Sequence, residues 1–172
     1  MSHVLRGLIA ASTVVCVMAL STVQGGGFLL RKSDIPKTIA ILKTGTAKEK
    51  AYAARLLGDR GAVRASDVKD AVAPLRFLVQ NNKDAKVRAA AARALGQIAS
   101  EPDETAKLLL MTLKNDKSDE VKMASMVAIG SLGPKVGRMA VSEMRKIARD
   151  KDNKRLSRKA RMVLKEMKKQ KQ

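Results

Sequence analysis

Residues that usually carry chemistry are scarce in this chain. It has one cysteine (Cys16), one histidine (His3), no tryptophan, and only three aromatic residues: Phe28, Tyr52 and Phe77. A lone cysteine forms no internal disulfide, and a single histidine beside it supplies no Cys/His set for a zinc site of the usual kind. So few aromatics cannot line a deep ligand pocket, nor give the stacking platforms that single-strand nucleic-acid binding normally uses. Gly25-Gly26-Gly27 is not a phosphate loop, because no Gly-Lys-Ser/Thr follows it and no strand precedes it. No paired acids with a base stand out. The expectation is therefore a noncatalytic protein, with no catalytic residue, metal, cofactor or small-molecule substrate.

What the chain does have is a repeat of 34 to 38 residues. Lys48 to Gly58 (KEKAYAARLLG), Lys86 to Gly96 (KVRAAAARALG) and Glu120 to Gly130 (EVKMASMVAIG) can be laid over one another. Arg155 to Lys165 (RLSRKARMVLK) is a degenerate fourth copy, with Lys165 in place of the closing glycine. Self-similarity at this period marks stacked units, each of which buries its apolar face against its neighbours.

Each unit divides into two helical patterns. In the second pattern Val87, Ala90, Ala91, Ala94, Leu95 and Ile98 follow one stripe of period 3.6. Val121, Ala124, Ser125, Ala128, Ile129 and Leu132 repeat it, as do Leu156, Ala160, Val163, Leu164 and Met167. In the first copy Tyr52, Ala53, Leu56 and Leu57 hold the stripe, with Glu49 at the valine position. A preceding helix is marked by Ile35, Ile39 and Leu42. Later counterparts are Val72, Leu75 and Val79; Ala106, Leu109, Leu110 and Leu113; and Ala140, Val141, Met144, Ile147 and Ala148. Short polar joints such as Asn81-Asn82-Lys83-Asp84 favour antiparallel neighbours. Alanine lets helix axes approach closely and is the best helix former. Gly58, Gly96 and Gly130 are expected near helix C-termini, where glycine takes the left-handed conformation freely.

Ala71 to Ala99 (AVAPLRFLVQNNKDAKVRAAAARALGQIA) resembles a HEAT repeat of the short type named after phycobilisome lyases. The family's proline, Leu-x-x-Leu core, polar turn, Val-Arg pair and closing Leu-Gly fall on Pro74, Leu75 and Leu78, Asn82 and Asp84, Val87 and Arg88, and Leu95 and Gly96. The next unit matches with Asp116, Val121, Lys122 and Gly130. The resemblance runs from about Ile35 to Met167. It implies an all-α, right-handed α-solenoid of about four antiparallel helix pairs, with approximate repeats over 34–61, 66–100, 103–133 and 136–169. It also implies a ladder between repeats, made by the turn acid and the basic residue after the valine. Asp116 and Lys122 keep that pair. Asn82 departs from it by lacking charge, which puts the ladder at Arg88 in question. The resemblance reaches only the structural repeat, so no lyase activity is carried over.

Residues 1–27 read differently from the repeats, which occupy 28–172. Arg6 is followed by an apolar or small stretch, Leu8 to Leu20, and then by small residues. That order describes a secretory signal peptide, so the protein is expected to be exported to the periplasm, the cell envelope or the medium. The alternative is an uncleaved anchor over 7–23, at the short end of the ~17–25 residues that span a bilayer. Cys16 follows Val15 rather than a small residue, which argues against a lipoprotein.

The net charge is +19. From Arg145 to Gln172 thirteen Lys/Arg stand against three acids, which leaves +10 in the last repeat. Such a cluster is the electrostatic footprint of a polyanion partner, beside the polar cap that any solenoid end requires. The first expectation is a scaffold that binds a protein through the concave line of second helices. Lys50, Arg55, Arg88, Arg93, Lys122, Arg155, Arg158 and Arg161 are the candidates there. The second is contact with anionic lipid, an acidic envelope polymer or, less favoured, nucleic acid, through Arg145, Arg149, Lys165, Lys168, Lys169 and Lys171.

Overall fold

The structure, a computed structural model, describes residues 30–170. His3, Cys16, Phe28, Lys171 and the leader or anchor over 1–27 lie outside the described residues. Among the described residues there is no strand, and no helix is long and apolar enough to cross a membrane.

The helices come in pairs. Helices α1 (Ile35–Thr44) and α2 (Ala47–Val63) form the first, and α3 (Val72–Asn81) and α4 (Ala85–Ile98) the second. The third is α5 (Pro102–Asn115) with α6 (Asp119–Ser131). In the fourth the leading helix is broken into α7 (Pro134–Gly137), a 3-10 turn at Arg138–Ala140, and α8 (Val141–Arg149), which pairs with α9 (Lys154–Lys169). The architecture is an all-α solenoid.

Local chemistry sets the starts. All four prolines (Pro36, Pro74, Pro102, Pro134) lie in the first turn of a helix, where a missing N–H costs nothing. Glu49 stands at the valine position of the first repeat because it closes a capping box. Its carboxylate accepts from the Thr46 N–H at 2.8 Å, and the Thr46 hydroxyl accepts from the Glu49 N–H at 3.4 Å. Asp84 caps α4 and Asn153 caps α9 through their side chains.

The core follows the expected stripes, with Leu42, Leu57, Leu75, Leu95, Leu109, Leu113, Ile129 and Met144 fully buried. It is also wider than one stripe. Ala89 and Ala92 are buried too, because α4 is covered by α2 on one side, α6 on the other and α3 behind. Tyr52 departs from expectation. It is 51% exposed, and Ala54 joins Ala53 and Leu57 in the core instead.

The glycines differ from expectation as well. Gly96 and Gly130 lie within the last three residues of α4 and α6, as expected, and Gly58 lies deeper in α2, but all three are helical and none has positive φ. Their role is close approach. A β-carbon on Gly96 would lie 2.5 Å from Ala128 Cα, and one on Gly58 would lie 2.9 Å from Ala94 Cα. The second helices α2, α4 and α6 therefore approach backbone to backbone, α6 and α9 meet through side chains, and successive first helices meet only sparsely. That asymmetry makes α2, α4, α6 and α9 the closer-packed, inner row of the stack. The left-handed residue that ends α4 is Ala99, at φ 50°.

Candidate interaction site

The inner surface is built from exposed side chains of the second helices, which reach one another across the repeats. Arg55 and Arg93 lie there, exposed, one repeat apart. The Arg55 guanidinium stacks 5.5 Å from the centre of the Tyr52 ring, a cation–π contact that orders two large side chains in water. Arg93 faces Glu120 of the next repeat at a loose 3.8 Å. Gln97 donates to the Asp59 carboxylate at 3.0 Å. Tyr52 falls on the apolar stripe by spacing, so the sequence pattern does not mark it as exposed.

Arg88 is committed elsewhere. Its Nε and Nη2 donate to the two Asp116 oxygens at 2.7 and 2.9 Å, and its Nη1 donates to the Asn82 and Lys83 carbonyls at 2.9 and 3.0 Å. The ladder at Arg88 is therefore intact, because its acid comes from the following repeat. Asn82 keeps the other job of the turn position. Its Oδ1 accepts from the Asp84 N–H at 2.9 Å, as Asp116 accepts from Ser118 at 2.8 Å. Burial alone would raise the Asp116 carboxyl. Hydrogen bonds from Arg88 and the Ser118 N–H, with the charges of Arg88 and Lys122, outweigh it, and the group lies below its ordinary value. The same bond to Asp116 raises Arg88. Lys122 acts on Asp116 only through space and makes no ion pair within 4.0 Å among the described residues. Lys50 occupies the position equivalent to Arg88 and is half-buried.

The candidates in the last repeat divide between two sides of α9. Arg149, Lys151, Lys154, Arg158, Arg161 and Lys165 rim an open groove of about 1140 Å³, floored by Ala148, Ser157 and Met162. Asp150 is its one acid. Arg161 donates from Nε to the Ser157 carbonyl at 3.3 Å and from Nη2 to the Ser157 hydroxyl at 3.0 Å. Arg145 and Lys168 line a smaller cleft of about 330 Å³ on the other side, which Arg149 also borders. Arg155 is exposed, and Lys169 pairs with Glu166 at 3.1 Å. Among the described residues no group of three or more His, Cys, Asp or Glu side chains could hold a metal ion.

The family model for HEAT repeats matches residues 35–130, which is α1 through α6 short of one residue. The chain is a HEAT-repeat protein. The HEAT match stops at Gly130, before the last helix pair. A crystal structure of an engineered protein from a structural genomics consortium is similar, with a TM-score of 0.56 and 24% identity over 78% of this chain and 62% of that one. This chain thus spans less than two thirds of that protein's length, and at that identity the likeness shows the fold alone. No match was found among curated proteins. HEAT repeats are helical scaffolds that commonly mediate protein–protein interaction, and the fold is typically noncatalytic.

Proposed function

We propose that this HEAT-repeat protein is a noncatalytic scaffold outside the cytoplasm that binds a protein partner on the inner face of α2, α4 and α6. The observation that carries the reading is the exposed cluster of Tyr52, Arg55 and Arg93 on that face. Tyr and Arg are the side chains that most often anchor protein interfaces, since each brings a large, stiff contact area and a polar handle. The Leu8–Leu20 stretch supports export. The cationic groove of the last repeat carries a second reading, contact with an anionic partner.

The test is the size of the native assembly. Tagged protein recovered from the envelope or secreted fraction of its own cells should run well above its own 18.6 kDa, and should fall to the free chain when Arg55→Glu and Arg93→Glu are combined. A chain that runs free whether or not these residues are changed, or that is recovered only from the cytosol, contradicts the proposal in its binding or its compartment respectively.

A further inference from the structure

The repeat register shows what the cationic groove is. A β-carbon built on Gly58 meets Ala94, one on Gly96 meets Ala128, and one on Gly130 meets Val163. Ala94, Ala128 and Val163 are therefore equivalent, and so are Gly58, Gly96, Gly130 and, in the last helix, Lys165. The face that each second helix offers to the next repeat can be read along this register. In α2 it is Ala51, Ala54 and Gly58, and in α4 it is Ala89, Ala92 and Gly96. In α6 it is Met123, Met126 and Gly130, and in α9 it is Arg158, Arg161 and Lys165. The groove is the stacking face of the last repeat, the place where a helix pair sits in every earlier repeat.

We infer that this face docks an acidic amphipathic helix of a protein partner, seated as a next repeat would be. This deepens the scaffold reading and rests on it. Three observations choose the occupant. A cap needs only polar residues, and mixed charges would serve without self-repulsion. Here six cations rim the groove, and among the described residues none of them makes an ion pair. Arg158, Arg161 and Lys165 follow i, i+3, i+7 along one helix face, which matches acids at helical spacing on a facing helix. Met162, 56% exposed, and Ala148 put apolar surface between the charges, which an amphipathic helix covers and a phosphate backbone does not. No aromatic ring lines the groove for base stacking. A second copy of this chain is excluded at the same face, because it would set cations against cations.

The probe is a fluorescein-labelled helical peptide of about four turns, with Glu at i, i+3 and i+7 and Leu beside them, titrated against the full chain. Anisotropy should show saturable binding that weakens at least tenfold when salt rises from 0.05 to about 0.5 M, as the Debye length contracts. Arg158→Gln, Arg161→Gln and Lys165→Gln together should weaken it at least tenfold with an unchanged helical signal, whereas Arg145→Gln with Lys168→Gln should change it less than twofold. Lys165→Gln alone guards against a fold defect in the triple variant and should weaken binding by an intermediate factor. Equal binding of a scrambled peptide of the same composition would reduce the groove to a nonspecific charge cluster and overturn the inference. So would phosphatidylglycerol vesicles or a duplex oligonucleotide that displaces the peptide and shows the same dependence on the three residues, which would assign the face to membrane or nucleic acid. Loss of peptide binding alone leaves the large native assembly standing, whereas failure of the inner-face reading removes the assembly and leaves the peptide bound.

Discussion

Gly96→Ala is the substitution that most sharply separates a close-packed stack from a loose row of helices. In an exposed helix interior this change is favourable by about 1 kcal/mol, because alanine is the better helix former. Gly96 is not exposed. Its new methyl would lie 2.5 Å from Ala128 Cα, 2.6 Å from Ala128 Cβ and 3.0 Å from the Ala128 carbonyl oxygen. Carbon atoms rest at ~3.5–4.0 Å, so α6 must withdraw from α4 by about 1 Å. Two of the three obstructing atoms are backbone, so no rotamer change relieves the clash. Overpacking of this kind costs ~1–3 kcal/mol, and a rigid backbone partner places it at the upper end. Less the propensity gain, the net loss should be about 2 kcal/mol, or a fall in Tm of ~4–8 °C for a domain of this size. Gly130→Ala is the matched control. There the methyl would meet only side-chain atoms, Val163 Cγ1 at 3.2 Å and Met167 Cγ at 3.9 Å, which can yield, so the variant should be neutral to about 1 kcal/mol more stable. Urea titration and thermal melts followed by circular dichroism measure both. If Gly96→Ala is as stable as the parent, the backbone contact between α4 and α6 is wrong, and if Gly130→Ala loses as much as Gly96→Ala, the yielding side-chain contact between α6 and α9 is wrong.

Ser125 is fully buried with an unpartnered hydroxyl, where the repeats before and after have Ala91 and Ala160; Ser125→Ala should stabilise by about 1 kcal/mol in a urea titration. Ala99 holds φ 50° at the end of α4, so Ala99→Gly should raise stability by up to about 1 kcal/mol, read as a higher melting midpoint. Leu109→Ala should cost about 2–5 kcal/mol by the same titration, since the leucine is fully buried. The Asp116 carboxyl is depressed in the folded chain, so its stabilisation is complete above its ordinary value of about 3.9 and is lost as pH falls through the lower folded value. Melts should accordingly show the advantage over Asp116→Asn shrinking below about pH 4, and a constant gap would contradict the Arg88–Asp116 pair.

The helix pairs were legible because period 3.6 registers burial directly, and Val87, Ala91, Ala94, Leu95 and Ile98 are all buried as their spacing implies. Spacing cannot say how many neighbours a helix has, so it marks neither Ala89 and Ala92 as buried nor Tyr52 as exposed. A Leu-Gly pair reads as a helix ending, yet Gly96 is followed by two more helical residues and answers to a backbone in another repeat, a contact that local pattern does not encode. The ladder at Arg88 was obscured for the same reason, since its acid lies 28 residues later rather than in its own turn. Among the site candidates, exposure of Arg55 and Arg93 was readable from the stripe. The groove was not, because it appears only when Arg158, Arg161 and Lys165 are laid onto the alanine and glycine positions of the earlier repeats.

Position-specific photocrosslinking in the producing cell reports whether a partner is held on the inner face. A photoreactive residue at Arg93 should yield a discrete crosslinked protein species, and one at the exposed Gln80 of α3, on the outer row, should not. Crosslinks of equal yield and pattern at both positions, or none at Arg93, would contradict the account.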